Sequence, residues 1–371
     1  VEFAFTDEQE QLRAAVRRFL AERSPEAEVR RLMDTVEGYD PAVWARMAEQ
    51  LELPGLIIPE AFGGGGFGFV ELVVVLEEMG RALLCAPYLS AVQAATLLLS
   101  CDDAEARKDY LPGVAHGSTL ATVALTEASG RWDEPGVTLP ATPGGGTGWT
   151  LSGEKLYVLD GHIADLVLVA ARAPAGVSVF AVERGATGFT AEPMDTLDRT
   201  RKQARLTFAA TPARPVGAEG AGWPALARML DLAAVALAAE QVGGAQRVLD
   251  MAVEYAGVRS QFGRPIGSFQ AIKHKCADLL LEVESARSAA YHAGWAAAGD
   301  PAELPAAASL AKAYCSEAYA HAAAENIQIH GGIGFTWEHP AHLYYKRAKS
   351  AELLFGDPDH HRERLARHLG M

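Results

Sequence analysis

The chain has 371 residues, 49% of them hydrophobic and 22% charged, the makeup of an ordinary globular protein too long for one simple core, so two or three packed regions are expected. Its 33 Lys plus Arg stand against 47 Asp plus Glu, a formal charge of −14, and that balance argues against the basic face a nucleic-acid binder needs. No run reaches the roughly 18 to 20 apolar residues of a membrane span, and Val1-Glu2-Phe3-Ala4-Phe5 lacks the basic-then-apolar order of a signal peptide, so a cytoplasmic protein is expected. Cys85, Cys101, Cys276 and Cys315 are far apart and form no CxxC pair; they read as reduced, mostly buried thiols and not as a disulfide framework or zinc site.

From Phe5 to about Gly117 the period is helical. Thr6 followed by Gln9 makes a capping box, after which Leu12, Val16, Phe19 and Leu20 share a face. A second helix starts near Pro41 and carries Trp44, Met47 and Leu51. The run Gly63 to Gly66 is a loop that needs glycine's backbone freedom, and an apolar helix is expected from about Phe69 to Leu84. From about Leu120 the pattern changes. Ala121 to Thr126, Leu166 to Ala171, Val177 to Val182 and Ala204 to Phe208 are short β-rich runs, separated by punctuation such as Thr142-Pro143-Gly144-Gly145-Gly146. After Trp223 the chain is Ala-rich and helical, with helices expected over about 224–258, 269–298 and 305–330. Small residues on several faces suggest close packing, as in a four-helix bundle. The expected fold is thus mainly α with a central β domain: an N-terminal helical domain over 1–118, a β-barrel or sandwich over 119–220 and a C-terminal bundle over 221–371.

Five motifs follow one another in order. Pro59-Glu60 precedes the glycine run, and Ala124-Leu125-Thr126-Glu127 opens the β domain. Leu151-Ser152-Gly153-Glu154-Lys155 is followed by Ala164-Asp165-Leu166. Glu254-Tyr255-Ala256 leads into Arg259-Ser260-Gln261-Phe262-Gly263-Arg264-Pro265-Ile266 and Phe269-Gln270-Ala271-Ile272, and the last motif is Gln328-Ile329-His330-Gly331-Gly332-Ile333-Gly334-Phe335. Each alone is weak, but together they span nearly the whole chain, which resembles the acyl-CoA dehydrogenase family of flavoproteins. The resemblance implies FAD at a subunit interface of a homotetramer or of a heterotetramer with a related subunit, and an acyl-CoA substrate. Arg259 and Phe262 would reach the neighbouring subunit's FAD, with Gln328 and the Gly331-Gly332 backbone holding its adenosine diphosphate part. An arginine answers pyrophosphate charge, and glycines let N–H groups approach it. Leu125 and Thr126 match positions that bond the flavin ring. Tyr157 stands where the family usually stacks a Trp, and Leu159 where a Thr hydroxyl usually bonds the ring. Ala128-Ser129-Gly130-Arg131-Trp132-Asp133 follows the family's loop only loosely.

Desaturation between Cα and Cβ needs a base for the α proton and a hydride acceptor. The family's usual Glu, 27 residues after the Gln, falls on Phe355, which cannot take a proton, and its second location falls on Ala233. Glu240 lies seven residues beyond Ala233, two helical turns and about 10 Å along the same face, among Ala, Val and Leu. A carboxylate in apolar surroundings has a raised pKa and could act as a base; the plainer reading is a structural hydrogen bond across the bundle. Glu352 and Asp357 flank Phe355 but point elsewhere. His339, His342, His360 and His361 show no ligand spacing and read as surface residues, so no metal is expected. Three readings follow: an FAD-dependent acyl-CoA dehydrogenase with Glu240 as displaced base, suited to a bulky or branched acyl group; a partner subunit that completes a neighbour's FAD site; or a flavin monooxygenase on the same fold, for which no residue speaks.

Overall fold

The computed structural model describes residues 5–144 and 148–371. Residues 1–4, on which the signal-peptide expectation falls, and Gly145 and Gly146 of the glycine punctuation lie outside the described residues. In chain order the helices α1 (Asp7–Arg23), α2 (Glu26–Met33), α3 (Pro41–Leu51), α4 (Phe69–Arg81), α5 (Tyr88–Ser100) and α6 (Ala104–Ala115) come first. The strands β1 (Ala121–Ala124), β2 (Ala141–Pro143), β3 (Trp149–Leu159), β4 (Leu166–Ala173), β5 (Gly176–Glu183), β6 (Phe189–Pro193) and β7 (Gln203–Val216) follow. Then come α7 (Gly222–Val258), a short hairpin of β8 (Ser260–Gln261) and β9 (Arg264–Pro265), α8 (Gln270–Gly299), α9 (Leu304–His330), α10 (Ala341–Leu353) and α11 (Pro358–His368). The architecture is the expected one, helical at both ends with a β domain between. No helix among the described residues is long and apolar enough to cross a membrane, and no group of three or more His, Cys, Asp or Glu among them could hold a metal ion. None of the four cysteines is in a disulfide, and Cys276 alone is not buried.

Local signals set several boundaries. The Thr6 hydroxyl accepts from the Gln9 N–H at 3.3 Å while Gln9 Oε1 accepts from the Thr6 N–H at 3.0 Å, the capping box read from sequence. Asp40 caps α3, whose first residue is Pro41. Helix α4 stops earlier than expected, at Arg81, and Leu83 turns the chain in the left-handed region at φ 48°. The apolar run continues to Leu84 because Leu83 and Leu84 are buried in the turn itself; burial, and not helicity, explains their composition. The run expected at 204–208 belongs to the 14-residue β7, whose later residues alternate less cleanly.

The chain divides into two compact units. One comprises the described residues up to Arg31, Phe69–Leu84 and Ala234–Met371. In it α9 packs on α8, α10 and α11, and α4 lies on α1 and α8. Helices α4 and α7 approach so closely that side chains are excluded. A Cβ on Gly80 would lie 1.9 Å from the Glu240 carbonyl oxygen, and one on Gly243 would lie 1.7 Å from that of Glu77. The second unit comprises Leu32–Gly68 and Cys85–Ala233. Its seven-stranded sheet runs β1-β4-β5-β7-β3-β2, with β6 also on β7. Every pairing is antiparallel except β1 with β4. Leu151, Val167, Val169, Phe180, Leu206 and Phe208 fill its core.

Gly243→Ala tests the helix contact. In an open helix the change would stabilise by about 1 kcal/mol; here a methyl must push two backbones apart, so a net loss of about 1–3 kcal/mol is expected, read as a lower urea midpoint.

Candidate functional site

Within the second unit the candidate residues are organised by β3. Its register against β7 shifts between Lys155 and Val158, a bulge that places Tyr157 at φ 56°. A bulky residue in the left-handed region is strained, and such strain gathers at functional positions. Tyr157 is 46% exposed, so the bulge presents its ring outward. Just before it, the Leu156 N–H donates to the Thr126 carbonyl at 2.9 Å and Lys155 Nζ donates to the Leu125 carbonyl at 2.8 Å. Lys155 Nζ also meets Glu127 Oε1 at 2.7 Å. The carboxylate further accepts from the N–H groups of Thr138 and Leu139, each at 2.9 Å, and from the Thr138 hydroxyl. Burial alone would raise the Glu127 carboxyl, but the Lys155 charge and these donors hold it below its ordinary value. Burial pulls Lys155 down to about 8 against the opposing pull of Glu127. Leu125 and Thr126 are buried. Leu159 is buried too, and its carbonyl accepts the Thr122 hydroxyl at 2.6 Å, so this position contributes core packing and no donor.

On the helical side, Phe262 and Gly263 form the two-residue turn between β8 and β9, both with positive φ (52° and 77°). That is the pattern of a tight I′ hairpin, where Asn and Gly are preferred. Phe262 is 92% exposed, so nothing within this unit covers the strained residue. Arg259 and Gln328 are also exposed. The Arg259 carbonyl accepts from the Ile266 N–H at 2.7 Å, which leaves the guanidinium at the surface beside the hairpin. Gly331 ends α9 at φ 65°, and a Cβ on Gly331 or Gly332 would meet nothing within 4 Å. Bare backbone therefore faces open space, the form a phosphate cradle takes. An exposed arginine and bare glycine backbone are each chemically compatible with an anionic group such as a pyrophosphate. In the β domain, Leu159 offers no hydroxyl to a flavin.

At the position expected from sequence for a base, Phe355 is buried at φ 62°. Its carbonyl lies 3.0 Å from His361 Nε2, which requires the proton on that nitrogen. Lys312 Nζ donates to the carbonyls of Glu352 and Gly356 at 3.1 and 2.9 Å and to Ser316 Oγ at 2.9 Å. Ser316 in turn accepts from Gln241 Nε2 at 3.0 Å. Burial pushes Lys312 down to about 7 and His361 down to about 3. His361, expected at the surface, is 1% exposed: α11 turns it inward onto the Phe355 carbonyl, which adjacency to Asp357 and Asp359 in sequence concealed. His339, His342 and His360 are half-buried, and burial together with Lys346 takes His342 down to about 4. Asp357 caps α11 through the His360 N–H at 2.8 Å, and Glu352 pairs with Lys349. Ala233 is buried and brings only a methyl group.

The surroundings of Glu240 differ from those expected. It is buried, as its apolar neighbours suggested, but Arg347 on α10 donates to it at 2.6 Å. Arg347 stands 107 residues away, so no local pattern in α7 could reveal it. Lys155, Lys312 and His361 were missed for related reasons. Lys and His look like surface residues in a single sequence, and only a Lys inside an otherwise alternating strand, as at Lys155, carries a warning.

Comparison with known proteins agrees with this geometry. Family models match in order: acyl-CoA dehydrogenase N-terminal domain over residues 6–118, middle domain over 122–210 and C-terminal domain over 220–370. The chain is 36% identical over 352 residues to the acyl-CoA dehydrogenase IpdE2 of Mycobacterium tuberculosis, covering 95% of this chain and 94% of that protein. Among solved structures it is similar to the ChsE4-ChsE5 complex from Mycobacterium tuberculosis (TM-score 0.91, 30% identity, 100% of this chain and 99% of that one). It is also similar to a variant of the Tcur3481-Tcur3483 steroid ACAD (TM-score 0.88, 32% identity, 98% of each). The fold and the family matches define a flavoprotein-type oxidoreductase. The chain belongs to the acyl-CoA dehydrogenase family, whose members are generally FAD-dependent.

An acid sensitivity follows from His361. Its folded pKa is depressed below the ordinary 6.5, so the unfolded chain takes up the proton first. The stability it contributes is present above about pH 6.5 and is lost as the pH falls toward about 3. His361→Gln, which keeps an N–H for Phe355 but does not titrate, should flatten that loss in urea unfolding compared at pH 7 and pH 4.

Proposed function

We propose that this chain is the base-free member of a two-chain acyl-CoA dehydrogenase, assembled as a heterotetramer with a related subunit that brings the catalytic carboxylate. The observation that carries this reading is the pairing of Glu240 with Arg347 at 2.6 Å. A general base must have a lone pair within reach of the proton it removes. The Arg347 guanidinium already occupies this carboxylate. Neutralising it would strip Arg347 of that partner, at about 3–5 kcal/mol for a broken buried pair. With Phe355 at the usual position and Ala233 at the second, the chain's two family locations hold no proton acceptor.

The residues that would serve a neighbour are intact. Arg259 would answer the pyrophosphate charge of the neighbouring subunit's FAD, Phe262 would cover its ring system, and Gln328 with the Gly331-Gly332 backbone would hold the adenosine diphosphate end. Bound FAD supplies the acceptor for the hydride leaving Cβ. On this chain's own flavin side, Tyr157 would stack and the Leu125–Thr126 segment would meet the ring edge, with no help from Leu159. Two of the similar structures carry names of paired components, ChsE4-ChsE5 and Tcur3481-Tcur3483, which supports the two-chain reading. The word steroid in the second supports a bulky, polycyclic acyl group on the CoA thioester.

Absorption spectra decide between the readings. Purified alone, the chain should be colourless; co-purified with its related subunit, the assembly should carry flavin that acyl-CoA bleaches anaerobically. Stoichiometric flavin in the lone chain, bleached by acyl-CoA, would establish the self-sufficient dehydrogenase instead. Glu240→Gln isolates the residue. In the assembly it should lower stability and leave turnover nearly unchanged, whereas a drop of about 10²–10⁴-fold in a stably folded variant would return the base role to Glu240.

A further inference from the structure

We infer that Lys155 is a positioning residue for the flavin-edge segment Leu125–Thr126, which it holds from inside the β domain. This rests on the reading that the β domain faces a flavin. Lys155 is wholly buried, and an ammonium taken out of water is costly unless its partners are specific. A methionine would fill much of the same space beside Leu206, its partner across the β3–β7 ladder, without that penalty. What the ammonium adds is a pair of fixed donations, 2.8 Å to the Leu125 carbonyl and 2.7 Å to Glu127.

Those contacts belong to a larger tie. Glu127 is itself fastened by the backbone of Thr138 and Leu139 and by the Thr138 hydroxyl, and it is the charged group that faces Lys155. One residue along β3, the Leu156 N–H takes the Thr126 carbonyl. With both carbonyls bound, the peptide planes of the segment cannot rotate. The next residue is Tyr157, thrown outward by the bulge. Three consecutive residues of β3 therefore serve one place: two fasten the edge segment and the third offers a ring. Lys155 is the member whose side chain alone does the fastening, so it is the one a substitution can remove without breaking the strand.

The test is amide hydrogen exchange on the flavin-free chain, read on peptides covering residues 121–128. Lys155→Met should raise exchange there about tenfold and leave peptides over Leu166–Glu183 unchanged. In the wild type, protection of the same amides, corrected for intrinsic rate, should fall as the pH passes about 8, and Lys155→Met should lack that step. Unchanged exchange in Lys155→Met, or no step in the wild type, overturns the assignment; the wild-type step decides if the variant does not fold. FAD uptake by the wild type, alone and with its related subunit, is scored separately. No uptake in either state sinks the flavin reading, whereas uptake that Lys155→Met leaves equally tight sinks only the role of Lys155.

Discussion

The contact of α4 with α7 governs the first compact unit. At Gly80 and Gly243 the two backbones come so near that no side chain fits between them, and Glu77, Glu78 and Glu240 are drawn into the interior beside the crossing. Three buried carboxylates are tolerable only if each finds a cation. Glu77 is met by Arg13, Arg287 and the Tyr291 hydroxyl, Glu78 by Arg17 at 2.7 Å, and Glu240 by Arg347. Those guanidinium groups come from α1, α8 and α10. The glycine contact thus bears on how three other helices dock, since each must bring its guanidinium group to a carboxylate beside the crossing.

The same demand bears on chemistry. A carboxylate on α7 two turns from a known base location looks available when α7 is read alone. Once α10 is in place it belongs to the helix docking, with Arg347 also directed toward the Leu84 carbonyl. The C-terminal end of α10 is secured a second time, by Lys312 on the carbonyls of Glu352 and Gly356 and His361 on that of Phe355, with Ser316 accepting from the Lys312 ammonium. The loop after α10 is thus fastened on both sides of the buried Phe355 ring.

Much of the architecture was legible because it rests on local periodicity. The capping box at Thr6, the Ala-rich helices and the short β runs each report their own conformation through neighbours a few residues away. Two turns were legible for a similar reason: Phe262-Gly263 and Gly331-Gly332 announce tight or exposed backbone through their glycines. The helix end at Arg81 was not, since Leu83 and Leu84 continue an apolar pattern for the sake of burial alone. Nor was the inward face of α11, because His361 among Asp and Arg looks like any solvated histidine.

By itself the sequence determined the family, the helical–β–helical order and the absence of a proton acceptor at Phe355 and Ala233. All of these are properties of residue type and short-range order. The tertiary structure decided what the charged residues are for. Glu240 meets Arg347 across 107 residues, and Lys155 meets Leu125 and Glu127 from another part of the sheet. A buried charge takes its role from the partner that makes its burial possible, and that partner is set by packing, which no local pattern records.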